Sequence, residues 1–175
     1  MVPERVVTFA HKNLTMLAHS QTFELPSEFQ LFALTLIENA QQEILIADPD
    51  WESWARIGTD LITALDAFLR RSPRSRLKIL LQNPARIYRY HPRLAQLLTR
   101  FSHLAECRQY GAEFAHFAET LQVVDASSVL RKPDPRAQRG ILRQLDPDYA
   151  QTHKMRFLEL WESSRVGYTP TTLGL

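Results

Sequence analysis

Apolar residues recur with helical spacing in three segments of the first hundred residues. The first segment begins at Ser27, where Ser27 and Gln30 fit a capping box, and its apolar positions run three and four residues apart to Ala40. The second covers about residues 57–70 and the third about residues 92–102. Each has leucine, phenylalanine and other apolar residues on one face, so the pattern predicts three amphipathic helices.

Short apolar runs alternate with these helices. Residues 43–47 and 76–82 each contain a run of Ile and Leu with polar or turn-forming neighbours, which is typical of buried strands. A strand, a helix and a strand in succession predict a βαβ unit with a right-handed crossover.

The pattern changes after residue 103. Residues 104–110, 120–125 and 128–131 are short strand-like segments separated by turn residues. Asp146 then fits the cap of a last helix with Pro147 in its first position, and this helix ends near Arg165. The whole pattern predicts an α/β fold in which a mixed β-sheet lies between helical layers.

Length and composition suit one domain. We predict an N-terminal arm at residues 1–26, with a β-like run at Val6, Val7 and Phe9, a domain at residues 27–165, and a flexible tail at residues 166–175. There is no signal-peptide pattern, and no apolar run approaches the roughly 20 residues that span a bilayer. The cytoplasm is therefore the expected location.

Charge and cysteine content narrow the chemistry. The net charge of +2 is too small to indicate nucleic-acid binding unless the charge is clustered. The single cysteine, Cys107, excludes an internal disulfide and fits a small buried strand residue. The histidines lack metal-site spacing and there is no glycine-rich nucleotide loop, so no metal or cofactor is predicted.

Two segments carry candidate chemistry. Asp48-Pro49-Asp50 ends a strand, as in phosphatases of the haloacid dehalogenase type, but no apolar run leads to a later Asp-Asp pair, which favours a polar turn. Residues 86–93 contain three arginines, including Arg86 and Arg89, two tyrosines and His91. Arginine and tyrosine side chains at the end of a parallel strand suit the binding of phosphate and of stacked bases. The alternative interpretation is that these residues form a solvated loop.

The later strands and the last helix resemble those of phospholipase D-like proteins. Residues 120–125 form an apolar run that ends in Asp125, where that family has the last residue of His-x-Lys-(x)4-Asp, and Phe157 and Trp161 match the pattern of its closing helix. The resemblance covers about residues 27–165. It implies one half-unit of a fold whose enzymes build their active site between two such units, and hence a homodimer or a partner chain.

The departures from the family fall on its catalytic residues. Ala118 and Thr120 stand where the family has His and Lys, and Gly140 alone matches its later Gly-Ser-x-Asn segment. His116 lies two residues before the required position, about 7 Å away along an extended strand. These departures imply a catalytically inactive half-unit that serves as a binding or assembly module.

The expected cleft contains Asp125, Asp48 and the segment 86–93, with His116 nearby, and its expected ligand is a phosphate-containing molecule or single-stranded nucleic acid. Two alternatives stay open at this point. One is an active phosphodiesterase that uses His91 or His116. The other is a structural domain that binds a protein partner through the arm or through Trp51 and Trp54.

Overall fold

The computed structural model describes residues 19–167, so the run at Val6–Phe9 and most of the predicted tail lie outside the described residues. The strands are β1 (His19–Phe23), β2 (Glu43–Asp48), β3 (Arg76–Leu81), β4 (Ala105–Gln109), β5 (Thr120–Val124), β6 (Ser128–Lys132), β7 (Gly140–Gln144) and β8 (Arg165–Val166). The α-helices are α1 (Pro26–Asn39), α2 (Glu52–Ala55), α3 (Thr59–Arg71), α4 (Ala85–Tyr90), α5 (Pro92–Arg100) and α6 (Pro147–Glu162).

The eight strands of residues 19–167 join one mixed sheet in the order β1-β7-β6-β5-β2-β3-β4-β8. Strands β2, β3 and β4 are parallel to one another, whereas β5 is antiparallel to β2. The end of β2 therefore lies beside the start of β5, with Ala47 opposite Leu121. We call this the carboxyl end of the sheet, and the opposite end, where β2 starts, the amino end.

Helices cover both faces of the sheet, which confirms the predicted layers. Side chains alternate along β2, so Ile44 and Ile46 pack into one apolar core with α1, α3 and α5. Leu45 and Ala47 point to the other face and pack into a second core that contains Phe157 and Trp161 of α6. β2 is buried on both faces, which explains its continuous apolar run.

Helix α1 begins two residues earlier than the capping-box prediction, so that prediction is wrong. Leu25 is the residue before the helix and Pro26 occupies its first position, where a missing N–H and a preset φ are favourable. The Glu28 carboxylate accepts hydrogen bonds from the N–H groups of Glu24 and Leu25 at 3.0 Å. The cap predicted at Asp146 is confirmed, since its carboxylate accepts from the N–H of Tyr149.

Residues 19–23, which the sequence analysis included in the arm, form the outer strand β1. They pair antiparallel with β7, a strand that the sequence pattern did not predict. A Cβ on Gly140 would overlap the ring of Phe23 and would lie 2.5 Å from the backbone carbonyl oxygen of Arg131. Gly140 is therefore required by the contact between these strands.

Trp51 and Trp54 are fully buried and stack with their ring centroids 5.6 Å apart. The alternative that they form a partner-binding surface is therefore wrong, because neither indole is on the surface. Cys107 is a buried strand residue, as predicted, and burial followed by the nearby Glu106 raises its pKa to about 12. Within residues 19–167, no helix has both the length and the apolar character that a bilayer crossing requires.

Candidate functional site

A polar cavity of about 610 Å³ lies at the carboxyl end of the sheet. Its walls come from the turn and helix that follow β2 (residues 49–56), from Gln82 after β3, from residues 115–118 before β5, and from the loop between β6 and β7 (residues 132–138). We call it the polar pocket. Chain segments that are distant in sequence meet here because β2, β3 and β6 end on the same side of the sheet and β5 begins there.

Lys132, the last residue of β6, is a buried cation in the wall of the polar pocket. Its ammonium group donates to Ser53 Oγ at 2.7 Å and to the carbonyl oxygen of Pro135 at 3.1 Å. Among residues 19–167 these hydrogen bonds use two of its three donors, and the ammonium group also lies 5.1 Å from the ring centroid of Phe29. Burial lowers the pKa of Lys132, and the charge of Asp48 opposes that shift.

Two further cations, Arg56 and Arg136, are exposed and line the polar pocket. Neither guanidinium has an ion pair within residues 19–167. The carboxylates of the pocket are already engaged. Asp50 and Asp134 accept N–H groups of their own turns at 2.9 Å.

Glu52, the third carboxylate of the pocket, pairs with Arg86 at 3.4 Å. The acidic groups are therefore held in turns and one exposed pair, whereas the guanidinium groups of Arg56 and Arg136 have no anionic partner among residues 19–167. The three carboxylates still balance the three cations of the pocket in formal charge, so the arrangement leaves available the hydrogen-bond donors of these two guanidinium groups.

Asp48 lies beneath the polar pocket and holds its wall in place. It is 1% exposed, and it accepts hydrogen bonds from Thr120 Oγ1 at 2.7 Å and from the N–H groups of Trp51 and Asp50 at 2.7 and 3.0 Å. Burial raises its pKa to about 6. These bonds match the polar-turn interpretation of Asp48-Pro49-Asp50, and the described residues contain no cluster of three or more potential metal ligands.

His116 and Ala118 are both exposed on the wall of the polar pocket. They lie in irregular chain that follows a short 3-10 turn at Ala112–Phe114, and β5 begins only at Thr120. The strand spacing used to place His116 therefore does not apply. The Thr120 side chain is buried and donates to Asp48, so it does not face the pocket.

Asp125 lies at the amino end of the sheet, because β5 runs antiparallel to β2. Its carboxylate accepts hydrogen bonds from the N–H groups of Gln41, Gln42 and Glu43 at 2.7, 2.8 and 2.9 Å. Asp48 is at the other end of β2, five residues after Glu43, which corresponds to about 16 Å at the rise of an extended strand. The expectation that Asp125 and Asp48 line one cleft is wrong, since they share a strand pair but not an end.

The basic segment after β3 is helical rather than a solvated loop: residues 86–90 belong to α4, and residues 92–93 begin α5. Arg86 borders the polar pocket through its ion pair with Glu52. The guanidinium carbons of Arg86 and Arg89 lie 6.0 and 5.4 Å from the ring centroid of Tyr90. His91 lines a separate cavity behind α2. Burial, followed by the charge of Arg86, lowers the pKa of His91.

Three later arginines do not converge on the polar pocket. Arg131, Arg139 and Arg143 form ion pairs elsewhere, with Glu119, Glu24 and Asp146 respectively. Sequence reasoning missed Lys132, Arg56 and Arg136. The pairing register of the β5–β6 hairpin could have indicated Lys132 as a site residue, because it places Lys132 directly opposite Thr120.

A family model described as "Domain of unknown function (DUF7931)" matches residues 25–169. The chain belongs to this family. A search of curated proteins found no match.

Solved structures show that this domain has the phospholipase D-like fold. Nuc, a phospholipase D family member from Salmonella typhimurium, is 14% identical with a TM-score of 0.63, and NucT from Helicobacter pylori is 14% identical with a TM-score of 0.61. Each match covers 87% of this chain and 100% of the other.

TrmBL2, an archaeal chromatin protein, is 20% identical with a TM-score of 0.65, and the match covers 87% of this chain but 56% of TrmBL2. Identities this low show the fold alone. Pairing of two units, as in the enzymes of that fold, stays a prediction.

Proposed function

We propose that this domain binds a phosphate-containing ligand in the polar pocket without hydrolysing it. The observation that carries the proposal is the set of three cations at one strand end: buried Lys132 with an unused donor, and Arg56 and Arg136 without ion pairs among the described residues. Guanidinium and ammonium groups in this arrangement suit the oxygens of a phosphate, since both donate charge-assisted hydrogen bonds.

The position of Lys132 supports the proposal further. Thr120 stands where the resemblance puts the family's phosphate-binding lysine, and Lys132 is its direct partner across the β5–β6 ladder. Residues opposite each other in an antiparallel pair have Cβ atoms about 5 Å apart. Lys132 therefore supplies from the neighbouring strand the positive charge that Thr120 lacks.

The same comparison explains the expected lack of hydrolysis. Ala118 stands where the family has its histidine nucleophile, and a methyl group offers neither a nucleophile nor a proton. The rival phosphodiesterase hypothesis rests on His116, which lines the polar pocket with Lys132. His116 is on irregular exposed chain, whereas a nucleophile must be held within tenths of an ångström of its reacting geometry.

A salt series of anisotropy titrations with a labelled single-stranded oligonucleotide tests binding. A strand presents many phosphodiesters, and the archaeal chromatin protein of similar fold is described with a mode of DNA binding. We expect the affinity to fall with salt. Arg56→Ala and Arg136→Ala should each make the log–log slope shallower by roughly 0.7, the change for one lost phosphate contact on a single strand.

Arg74→Ala is the matched control, since Arg74 is an exposed arginine in the turn before β3, at the amino end. Absence of binding at low salt, or equal effects of the three substitutions, would contradict the proposal. Hydrolysis is tested with bis(4-nitrophenyl) phosphate, for which we expect a flat time course. A rate that disappears in His116→Ala would instead establish the phosphodiesterase hypothesis.

A further inference from the structure

A second cavity, of about 280 Å³, lies next to the polar pocket. Its lining is mostly apolar and aromatic: the buried rings of Trp51 and Trp54 are on its inner side and Tyr90 is at its mouth. His91 and Arg93 add polar groups at the rim. We call it the aromatic pocket. Few polar groups around an apolar cavity are the usual composition of a small-molecule site.

The short helix α2 separates the two pockets. Trp54 and Ala55 face the aromatic pocket, whereas Glu52, Ser53 and Arg56 face the polar pocket. One helix is about 10 Å across, so a ligand that passes over α2 reaches both cavities. Arg86, which pairs with Glu52 and lies over Tyr90, connects the two surfaces on the outer side.

Backbone geometry keeps the aromatic pocket open. Trp51 has a left-handed backbone (φ 69°), which is unfavourable for a bulky residue and is held by the hydrogen bond from its N–H to Asp48. Gly58 has a φ of 73° and no heavy atom within 4 Å of where a Cβ would be. Two unusual conformations thus bound a cavity that no side chain of residues 19–167 fills.

Tyr90 is placed to stack on a ligand. Tyr90 is 57% exposed, and the guanidinium groups of Arg86 and Arg89 lie near its ring centroid. Exposed aromatic rings with interleaved arginines are the usual platform for the bases of single strands. An apolar cavity of roughly 150 Å³ holds one benzene ring, so about 280 Å³ suits one planar heterocycle.

We propose that the aromatic pocket receives a base of a single-stranded nucleic acid whose backbone phosphate occupies the polar pocket. This inference rests on the proposed function. It adds that the ligand is a nucleic-acid strand and that Tyr90 contacts one of its bases.

The test compares oligothymidine with an abasic strand of the same length and the same number of phosphates. Wild-type protein should bind oligothymidine roughly five- to a hundredfold more tightly than the abasic strand, the range for one base stacked on an aromatic side chain. Tyr90→Ala should remove most of that difference, and Tyr90→Phe, which keeps the ring, should retain it. Ala55→Phe, which fills the aromatic pocket, should act like Tyr90→Ala.

Arg56→Ala should weaken both strands by a similar factor and leave the difference between them. Equal affinity of wild type for the two strands would overturn the base site while leaving phosphate binding in place. A difference that persists in both Tyr90→Ala and Ala55→Phe would also overturn it, since the base would then contact another surface. If neither strand binds, the proposed function fails and the base site fails with it.

Discussion

The carboxylate of Asp48 accepts three hydrogen bonds at the end of β2, and all three donors belong to the wall of the polar pocket or to the strand beside it. One of them is the N–H of Trp51, whose left-handed backbone begins the turn into α2. At the scale of single residues, the buried carboxylate of Asp48 thus fixes the backbone of the turn that forms part of the pocket wall. Asp48 thereby holds the turn that leads into α2, and Arg56 follows this helix at the wall of the polar pocket.

The burial of Asp48 predicts a pH dependence of stability. Its folded pKa of about 6 is above the ordinary 3.8, so the folded state holds the proton more tightly than the unfolded state. This contribution to stability is complete below about pH 4 and is lost as the pH rises through 6. Relative to wild type, Asp48→Asn should therefore gain about 2 kcal/mol between pH 4 and pH 7.

Urea unfolding of both proteins at pH 4, 5.5 and 7 measures this difference. Asparagine has nearly the same shape, can accept from the N–H of Trp51 and can donate to Thr120, so it preserves the turn. Other carboxylates titrate equally in both proteins and cancel in the comparison. A difference in unfolding free energy that stays constant with pH would show that folding does not raise the pKa of Asp48.

At the scale of elements, Asp125 joins the β5–β6 hairpin to the loop before β2. Its carboxylate accepts three successive backbone N–H groups, and its own N–H donates to the carbonyl oxygen of Glu43. Asp125 and Ala126 both have positive φ, at 51° and 48°, as the turn requires. The match of Asp125 to the family's Asp thus has a structural explanation at the amino end, far from the polar pocket.

Asp125→Ala should lower the unfolding free energy by about 2–3 kcal/mol, because the backbone N–H groups lose a charged acceptor and alanine disfavours positive φ. Asp125→Asn, which keeps an acceptor and tolerates this backbone, should lose much less. Chemical denaturation measures both changes. Affinity for a single strand should be unchanged wherever the variants are folded, and a specific loss of binding at unchanged stability would return Asp125 to the site.

Elements with strong periodicity could be predicted from the sequence. The helices near residues 28–41 and 92–102 and the strands at 43–47 and 120–125 were predicted within a few residues, because their apolar positions face a core. Strand β1 was missed because only Phe23 of its five residues is buried. Strand β7 was missed because its apolar positions are few and it starts with a glycine that packing requires.

The candidate site was harder to predict than the fold, because it depends on register and on which end of the sheet each residue reaches. Sequence spacing alone placed Asp125 beside Asp48, although antiparallel pairing separates them. Lys132 was missed because its position opposite Thr120 depends on the turn between β5 and β6. That turn has its positive φ values at Asp125 and Ala126, and it lacks the Asn-Gly pair that usually identifies a tight hairpin turn in a sequence. Arg86 was placed close to the site because it follows the end of a parallel strand.

At the scale of the whole molecule, the two ends of the sheet differ in their use of charge. At the amino end, Asp125 is saturated by backbone donors and Lys154 pairs with Glu43 at 2.5 Å. At the carboxyl end, Arg56 and Arg136 have no ion-pair partner within residues 19–167. Two cavities open there, one on each side of the short helix α2. The amino end also has an exposed arginine, Arg74, without an ion pair among the described residues, so the two ends differ in that the unpaired cations Arg56 and Arg136 line a cavity at the carboxyl end.

This asymmetry predicts where a bound strand protects the backbone. With a saturating single-stranded oligonucleotide at low salt, hydrogen exchange should slow in segments 49–58, 84–93 and 132–138, which line the two pockets or the helix between them. Exchange at the amino end, in segments 40–43, 72–76 and 125–128, should not change. Because the comparison is made on wild-type protein, it locates the ligand without any effect of substitutions on folding. Slower exchange confined to the amino end or to α6 would place the ligand outside both pockets, whereas slower exchange in segment 132–138 alone would keep phosphate binding and exclude the base site.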